Sequence, residues 1–369
     1  MSQVPSTLLA WSDPLDDAVG AHLDKIATRL LPLDGPTEEA GVWSEPLWAV
    51  LVEHDAPRWA LPPEFGGDDC GRPRLLQRYA RIAEGSLTAA FILSQHEAGV
   101  RRLAAAADRP AARDWLDRIA SGSAFATVGI SHLTTSRRLG DQPMRAAPIP
   151  GGYRLVGAMP WVTAACRADV IVTGAPLDDG SAFLAALPTD RPGVRVLPPF
   201  PLAAVQASCT AEVQCDRVEL ADSDLLAGPA GNVMAHPGAA GTGGLETTAI
   251  ALGQARAALM SLDYETPRKP GLVEPVEALC QAWARAWSDL MAAASGQPSA
   301  PTSGQVRGQA NTLVLRATQA YLTARKGSGF LRSDPAQRWA RQALFFLVWS
   351  CPGPVAQATI RDLVGLCSL

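Results

Sequence analysis

The run Pro160-Trp161-Val162-Thr163 closes the stretch whose reading decides how the chain is organised. Before it come Ala124-Phe125-Ala126-Thr127-Val128-Gly129-Ile130-Ser131 and Gly152-Tyr153-Arg154-Leu155-Val156-Gly157. After it comes Ala168-Asp169-Val170-Ile171-Val172-Thr173-Gly174. Short apolar or alternating runs bounded by Gly and Pro read as β-strands. On both sides the grain changes to long Ala- and Leu-rich segments with helical spacing. The expected layout is an N-terminal helical domain over residues 1–120, a middle β domain over 121–224 and a C-terminal helical bundle over 225–369.

Within the helical parts the spacing predicts helices over 13–31, with Val19, Leu23, Ile26 and Leu30 as the apolar stripe, and over 44–54. A helical pattern over 74–106 is broken near Gly85-Ser86, where Ser86 is placed to cap a new helix. Further helices are expected over 110–120, 245–264, 276–294, 306–325, 336–349 and 354–365. The Gly-rich stretch 225–244 reads as a loop. His96, inside an Ala- and Leu-rich helix, reads as a satisfied core or interface residue.

Composition narrows the function classes. A chain of 369 residues with 47% hydrophobic and 18% charged residues suits a globular protein that also buries surface in an oligomer. A net charge of −4 without a dense basic run excludes nucleic acid and anionic membrane surfaces as favoured partners. No apolar stretch approaches the roughly 20 residues that span a bilayer, and the N-terminus lacks signal-peptide character, so a cytoplasmic location is expected. The seven cysteines and five histidines are scattered without ligand spacing, which argues against disulfides and against a metal site.

The order of several pieces resembles the acyl-CoA dehydrogenase superfamily. They are Leu61-Pro62-Pro63-Glu64-Phe65-Gly66-Gly67, the Gly152–Gly157 run leading into Trp161-Val162-Thr163, Ala207-Ser208-Cys209-Thr210-Ala211-Glu212-Val213, and Pro335-Ala336-Gln337-Arg338-Trp339-Ala340-Arg341. The resemblance covers nearly the whole chain. It implies a mixed, mainly α fold: N-terminal helices, a central β-barrel-like domain and a C-terminal bundle, associated as a homodimer or homotetramer. It implies FAD as cofactor and an acyl thioester, on CoA or on a carrier protein, as substrate, with electron-transfer flavoprotein or a flavin reductase as redox partner.

For residues, the resemblance implies that Trp161 covers one face of the flavin and that the Thr163 hydroxyl lies near flavin N5, where a donor stabilises reduced flavin. Where the family carries a Gly-rich flavin and substrate segment, this chain has Ser131-His132-Leu133-Thr134-Thr135-Ser136-Arg137-Arg138. Ser131 and Ser136 retain hydroxyls there. Arg137 and Arg138 read equally as cations for the phosphates of FAD or CoA, or as a solvated pair. Gly327 and Gly329 in Lys326-Gly327-Ser328-Gly329-Phe330 read as a phosphate approach, or as a helix end and turn. The interface FAD motif is reduced to a trace at Arg268-Lys269-Pro270-Gly271-Leu272 and Gln281.

Oxidation α,β to a thioester needs a carboxylate base. Ser350 stands where most of the family has it, followed by Cys351, which reads as an inert thiol. Some members carry the base seven residues before a Gly at the start of the helix after the β domain. Glu246 precedes Gly253 by that interval. Two readings of Glu246 stay open: the base, or a first-turn acid favoured by the helix dipole. Two further readings of the whole chain follow: a flavin-dependent monooxygenase or oxidase on the same fold, and an inactive homologue that binds or scaffolds.

Overall fold

The computed structural model describes residues 8–11, 17–68, 70–134, 143–235, 244–351 and 353–366. Helix α1 spans Asp17–Ala40, well beyond the expected end at residue 31. It passes through Pro32 and Pro36, each of which removes one backbone hydrogen bond. Tertiary contacts offset that loss: Asp34, 1% exposed, accepts from Ser86 Oγ at 2.7 Å and from Arg338 Nε at 2.7 Å.

Helix α2 is Glu45–Glu53. Helices α3 (Gly71–Gly85) and α4 (Leu87–Ala104) meet at Ser86, as the sequence predicts. The Ser86 hydroxyl accepts from Ala89 N at 3.1 Å, satisfying one orphan donor of the α4 start. Helix α5 is Pro110–Ala120.

The β domain consists of two four-stranded sheets. The first has the order β1 (Ala126–Val128), β4 (Val170–Pro176), β5 (Ala182–Pro188), β8 (Leu225–Ala230). β1 runs parallel to β4, and the other neighbours are antiparallel. The second has the order β2 (Arg145–Ile149), β3 (Gly152–Val162), β7 (Ala211–Ala221), β6 (Val194–Val196), all antiparallel.

Strand β8 corrects the first part of the expected loop over 225–244. Ala185 pairs with Leu225 and Ala182 with Ala230, so the sheet domain continues to Ala230. Gly228 and Pro229 in this strand gave a turn signal, but pairing along β5 overrides it. Leu155, Ile171, Phe183 and Val213 fill the space between the sheets. The other face of the first sheet packs Val128 and Val170 against Val100, Leu103 and Leu116 of α4 and α5.

The C-terminal bundle comprises α6 (Leu245–Asp263), α7 (Val273–Ala294), α8 (Ser303–Arg325), α9 (Pro335–Phe345) and α10 (Gly353–Leu363). Its core is continuous with that of α1, α3 and α4. Helix α6 is the central rod, with Ala249, Ile250, Ala251 and Leu252 fully buried. A Cβ on Gly253 would lie 2.1 Å from Ala80 O of α3, so only glycine permits this crossing. Val348, Ile360, Leu363 and Val364 are exposed on and beside α10. Among the described residues no helix is long and apolar enough to cross a membrane.

Gly253→Ala is expected to lower stability by about 3 kcal/mol or more, because backbone rather than a flexible side chain must move. Gly20→Ala, in α1 with nothing within 4 Å of the added Cβ, should instead be neutral or stabilising by about 0.5 kcal/mol. Thermal denaturation of the two variants beside the parent checks both.

Candidate functional site

The start of α6, the C-terminal half of α4, the end of β1 and the turn after α9 converge on a cavity of about 910 Å³. That volume is in the range of small-molecule sites. Val128 and Ile130 line it from the β domain, Gln95, Ala98, Arg101 and Arg102 from α4, Glu246 and Thr247 from α6, and Trp349 and Ser350 from the turn after α9. The two positions that the sequence offers for a base, Glu246 and Ser350, therefore face the same space.

Glu246 is the second residue of α6, after the Gly244 cap. Its carboxylate folds back toward the helix start: a Cβ on Gly244 would meet Glu246 Oε2 at 2.5 Å. Placement at a helix N-terminus stabilises its charge, so the two sequence readings of this residue are compatible. Arg72 Nη2 and Arg101 Nη2 each lie 3.7 Å from Glu246 Oε1, and the side chain is 23% exposed.

Arg101 also donates to Tyr79 Oη at 3.1 Å, and Tyr79 Oη donates to Glu97 Oε2. Glu97 is fully buried, and its Oε1 has no hydrogen-bond partner among the described residues. Burial pushes the Glu97 carboxyl up to about 8, against Arg101 and Arg78, with the Glu246 charge adding to the rise. It is mostly neutral at pH 7. Arg102, 6% exposed, donates to Ala98 O at 2.8 Å, and burial pulls it down to about 10, which leaves it charged at neutral pH. Composition and spacing did not reveal this arginine–tyrosine–glutamate set. The signal available was the placement of Glu97 and Arg101, one helical turn apart, in an otherwise apolar run.

Ser350 has a left-handed backbone, φ 47°, a conformation that non-glycine residues adopt at a cost. Arg307, 1% exposed, donates to Trp349 O at 3.0 Å and Phe346 O at 3.2 Å and so holds the turn. Burial raises the neighbouring Cys351 thiol, against Arg307, in keeping with an inert cysteine.

On the β side, Ser131 opens the turn after β1. Its Oγ is buried without a partner among the described residues, as is His132 Nδ1. Thr163 follows the end of β3 and is 4% exposed. Thr127 Oγ1 of β1 donates to Thr163 O at 2.8 Å, tying β3 to the strand whose next residue, Val128, lines the cavity. Thr163 Oγ1 accepts from Thr210 Oγ1 at 3.4 Å, which leaves its own proton to donate. Trp161 is 43% exposed and leans on Phe200 at a ring distance of 4.7 Å.

Gly327 and Gly329 lie in the turn after α8 and are not among the lining residues of the cavity. Gly329 is required by its own chain, since a Cβ would meet Arg325 Cβ at 2.5 Å, while Gly327 faces open space. Ser136 and Arg137, with Arg138, lie outside the described residues. His96 is a core histidine, as expected: Nδ1 lies 3.0 Å from Ala126 O and Nε2 3.0 Å from Pro57 O. Burial pulls it down to about 4, so the neutral ring donates to one carbonyl and rests against the other. Among the described residues no cluster of His, Cys, Asp or Glu fits a metal ion.

Because the folded protein holds the Glu97 proton up to about pH 8 and the unfolded chain releases it near the ordinary carboxylate value, stability falls as pH rises through that window. Glu97→Gln, which mimics the neutral form, is expected to be nearly neutral at pH 4. At pH 9 it should stabilise by on the order of 4 kcal/mol. Urea unfolding of parent and variant at the two pH values measures the difference.

No protein-family profile matches the chain. Among curated proteins, the probable acyl-CoA dehydrogenase YngJ of Bacillus subtilis (strain 168) is 29% identical over 160 residues, which are 42% of this chain and 42% of that protein. The match thus spans less than half of the relative. Among solved structures, a glutaryl-coenzyme A dehydrogenase in complex with glutaryl-CoA superposes with a TM-score of 0.78 at 15% identity, covering 100% of this chain and 96% of its own. The prolyl acyl carrier protein oxidase AnaB gives a TM-score of 0.78 at 14% identity, covering 95% of this chain and 100% of its own. Both superpositions extend over essentially the whole length of this chain. The chain therefore has the fold of the acyl-CoA dehydrogenases, with sequence likeness to one of them over 160 residues.

Proposed function

We infer that the chain is a flavin-dependent oxidoreductase that oxidises an acyl thioester between its α and β carbons. The observation that carries this reading is the placement of Glu246 in one cavity with Val128 and Ile130 from the end of β1 and with Trp349 and Ser350. A carboxylate in a ligand-sized space at the junction of the β domain and the bundle has the chemistry that α-proton abstraction needs.

Three residues on the β side, Ser131, Trp161 and Thr163, which are not among those lining the cavity, would hold FAD in this reading. The Ser131 hydroxyl, without a partner among the described residues, would supply a hydrogen-bonding group, the half-exposed Trp161 an aromatic wall, and the Thr163 hydroxyl a proton to donate. When bound, FAD supplies a two-electron acceptor for the hydride from the β-carbon.

The protein's own residues do the rest. Glu246 takes the α-proton. Arg72 and Arg101 hold its carboxylate in place from two sides, which fixes the direction from which it reaches the substrate. Once Glu246 is protonated, Arg101 still faces Tyr79 and Glu97, so the arginine does not lose every polar partner as the proton moves. Trp161 would exclude water from one face of a bound flavin, and the tie from Thr127 to Thr163 O keeps the hydroxyl from drifting with the strand end. The carrier on the thioester is CoA or a carrier protein. Superposition on AnaB, an acyl carrier protein oxidase, and the likeness to a probable acyl-CoA dehydrogenase support both.

The purified protein, incubated with FAD and passed through gel filtration, is expected to keep a flavin absorption spectrum that acyl thioesters bleach under anaerobic conditions. Glu246→Gln should retain the spectrum and lower the bleaching rate at least about a hundredfold. A protein that stays colourless with added FAD overturns the flavin reading. Unchanged bleaching by the variant removes Glu246 from the mechanism.

A further inference from the structure

The turn that follows β3 and the turn that precedes β7 bring two cysteines together. The ladder of these strands pairs Val162 with Ala211, and just beyond it Ala164 N donates to Ser208 O at 2.8 Å. One turn closes from Arg167 N to Ala164 O at 2.9 Å, the other from Ser208 N to Val205 O at 2.9 Å and from Cys209 N to Gln206 O at 3.1 Å. Ala164, Val205 and Cys209 have left-handed backbones, with φ of 54°, 52° and 48°, which non-glycine residues adopt at a cost and only where the surroundings determine it. At this junction the Cys209 thiol donates a hydrogen bond to the Cys166 sulfur.

The two thiols differ in access. Cys166 is exposed, whereas Cys209 is 3% exposed and the Trp43 backbone N–H reaches its sulfur from behind. Arg167 stands beside Cys166, its guanidinium 5.7 Å from the Trp43 ring centroid and its Nε 3.9 Å from Glu45 Oε1.

Among the six described cysteines, all free thiols, Cys166 stands apart. Burial raises the thiols of Cys70, Cys215, Cys280 and Cys351. The hydrogen bond from Cys209 pulls Cys166 down to about 7, and Arg167 adds to the fall against partial desolvation and the Glu45 charge. Cys209 is raised, first by the proton it gives to Cys166 and then by burial. The first of these causes vanishes once Cys166 is no longer a thiolate.

We propose that Cys166 and Cys209 are a peroxide-reactive pair, in which Cys166 is oxidised first and Cys209 resolves it to a reversible disulfide inside one chain. An accessible thiolate with a second cysteine in reach is the arrangement that favours this chemistry over further oxidation. The Cys166 thiolate attacks one oxygen of hydrogen peroxide, the O–O bond breaks, and the leaving hydroxide takes a proton to become water. Cys166 is then a sulfenic acid. The Cys209 sulfur attacks the Cys166 sulfur, the S–O bond breaks, and the Cys209 proton leaves with the hydroxide as a second water. Two thiols and one peroxide thus give one disulfide and two waters. The bond forms next to the Thr163 hydroxyl, which accepts from Thr210, the residue after Cys209, at 3.4 Å.

The experiment treats the full chain with hydrogen peroxide at neutral pH, blocks the remaining thiols with N-ethylmaleimide and digests with trypsin in the absence of reductant. Cleavage after Arg154, Arg167, Arg195 and Arg217 places Cys166 in one peptide and Cys209 with Cys215 in another. Mass spectrometry should find these two peptides linked, with fragmentation assigning the bond to Cys209 and dithiothreitol reversing it. Cys166→Ser should abolish the link. Cys209→Ser should leave a dimedone-reactive sulfenic acid on Cys166. In the parent, iodoacetamide should alkylate Cys166 along a pH curve with its midpoint near 7, and at pH 7 at least about tenfold faster than Cys70 or Cys351. This last measurement needs no substitution and so stands even if Cys209→Ser fails to fold.

A Cys166 alkylation midpoint at or above the roughly 8.5 of a free thiol overturns the proposal. So does peroxide that leaves Cys166 unreacted or carries it to a sulfinic acid in the parent. A bond from Cys166 to Cys215, or between two chains, overturns it as well.

Discussion

The crossing of α6 over α3 at Gly253 fixes the site more than any single residue of the cavity does. At that point the two backbones approach so closely that a Cβ would fall 2.1 Å from Ala80 O, and the neighbouring α6 residues Ala249 to Leu252 have no exposed surface. Trp283 Nε1 adds a hydrogen bond to Leu252 O at 2.9 Å. A rod held so firmly at its middle has a determined end. Glu246 stands seven residues before Gly253, about 10 Å along the helix axis at 1.5 Å per residue. The contact that looks like core packing therefore sets where the carboxylate lies.

The second organising feature is that one arginine serves two acids of unlike state. Arg101 reaches toward Glu246 in the cavity and toward the Tyr79–Glu97 pair behind it. Keeping the Glu97 carboxylate ionised in so poorly solvated a place costs more than protonating it, even with Arg101 and Arg78 nearby. Burial selects Glu97 as the neutral partner, and Glu246 is the partly exposed acid of the cavity. Exposure rather than residue type separates the two roles.

Much of the frame was legible because it depends on local rules. Ser86 after Gly85 announced a helix start, and the hydroxyl caps α4. The Glu246 to Gly253 spacing pointed to the helix end that lines the cavity, and the strand runs around Trp161 fell in the β domain. What escaped depends on contacts distant in sequence. The extension of α1 through two prolines needs Asp34 to meet Arg338, 304 residues away. Strand β8 exists because β5 offers it a partner. Arg72, Arg101 and Glu246 come from three separate helices, so no window of sequence contains them together, and each alone reads as a solvated helix charge.

The same geometry brings two helix ends to one space. Ser350 and Glu246 reach one cavity from different helices, so a carboxylate at either point addresses the same space. In this chain the turn after α9 carries no acid, yet it is held by Arg307 through two backbone carbonyls and keeps Ser350 in a left-handed conformation. A strained residue persists where its surroundings determine it. The turn is thus retained for shape, closing the cavity with Trp349 and Ser350. The acid sits at the start of α6, where the helix terminus and two arginines already favour negative charge. The positions of both α6 and the turn are set by packing and hydrogen bonds that do not involve this carboxylate.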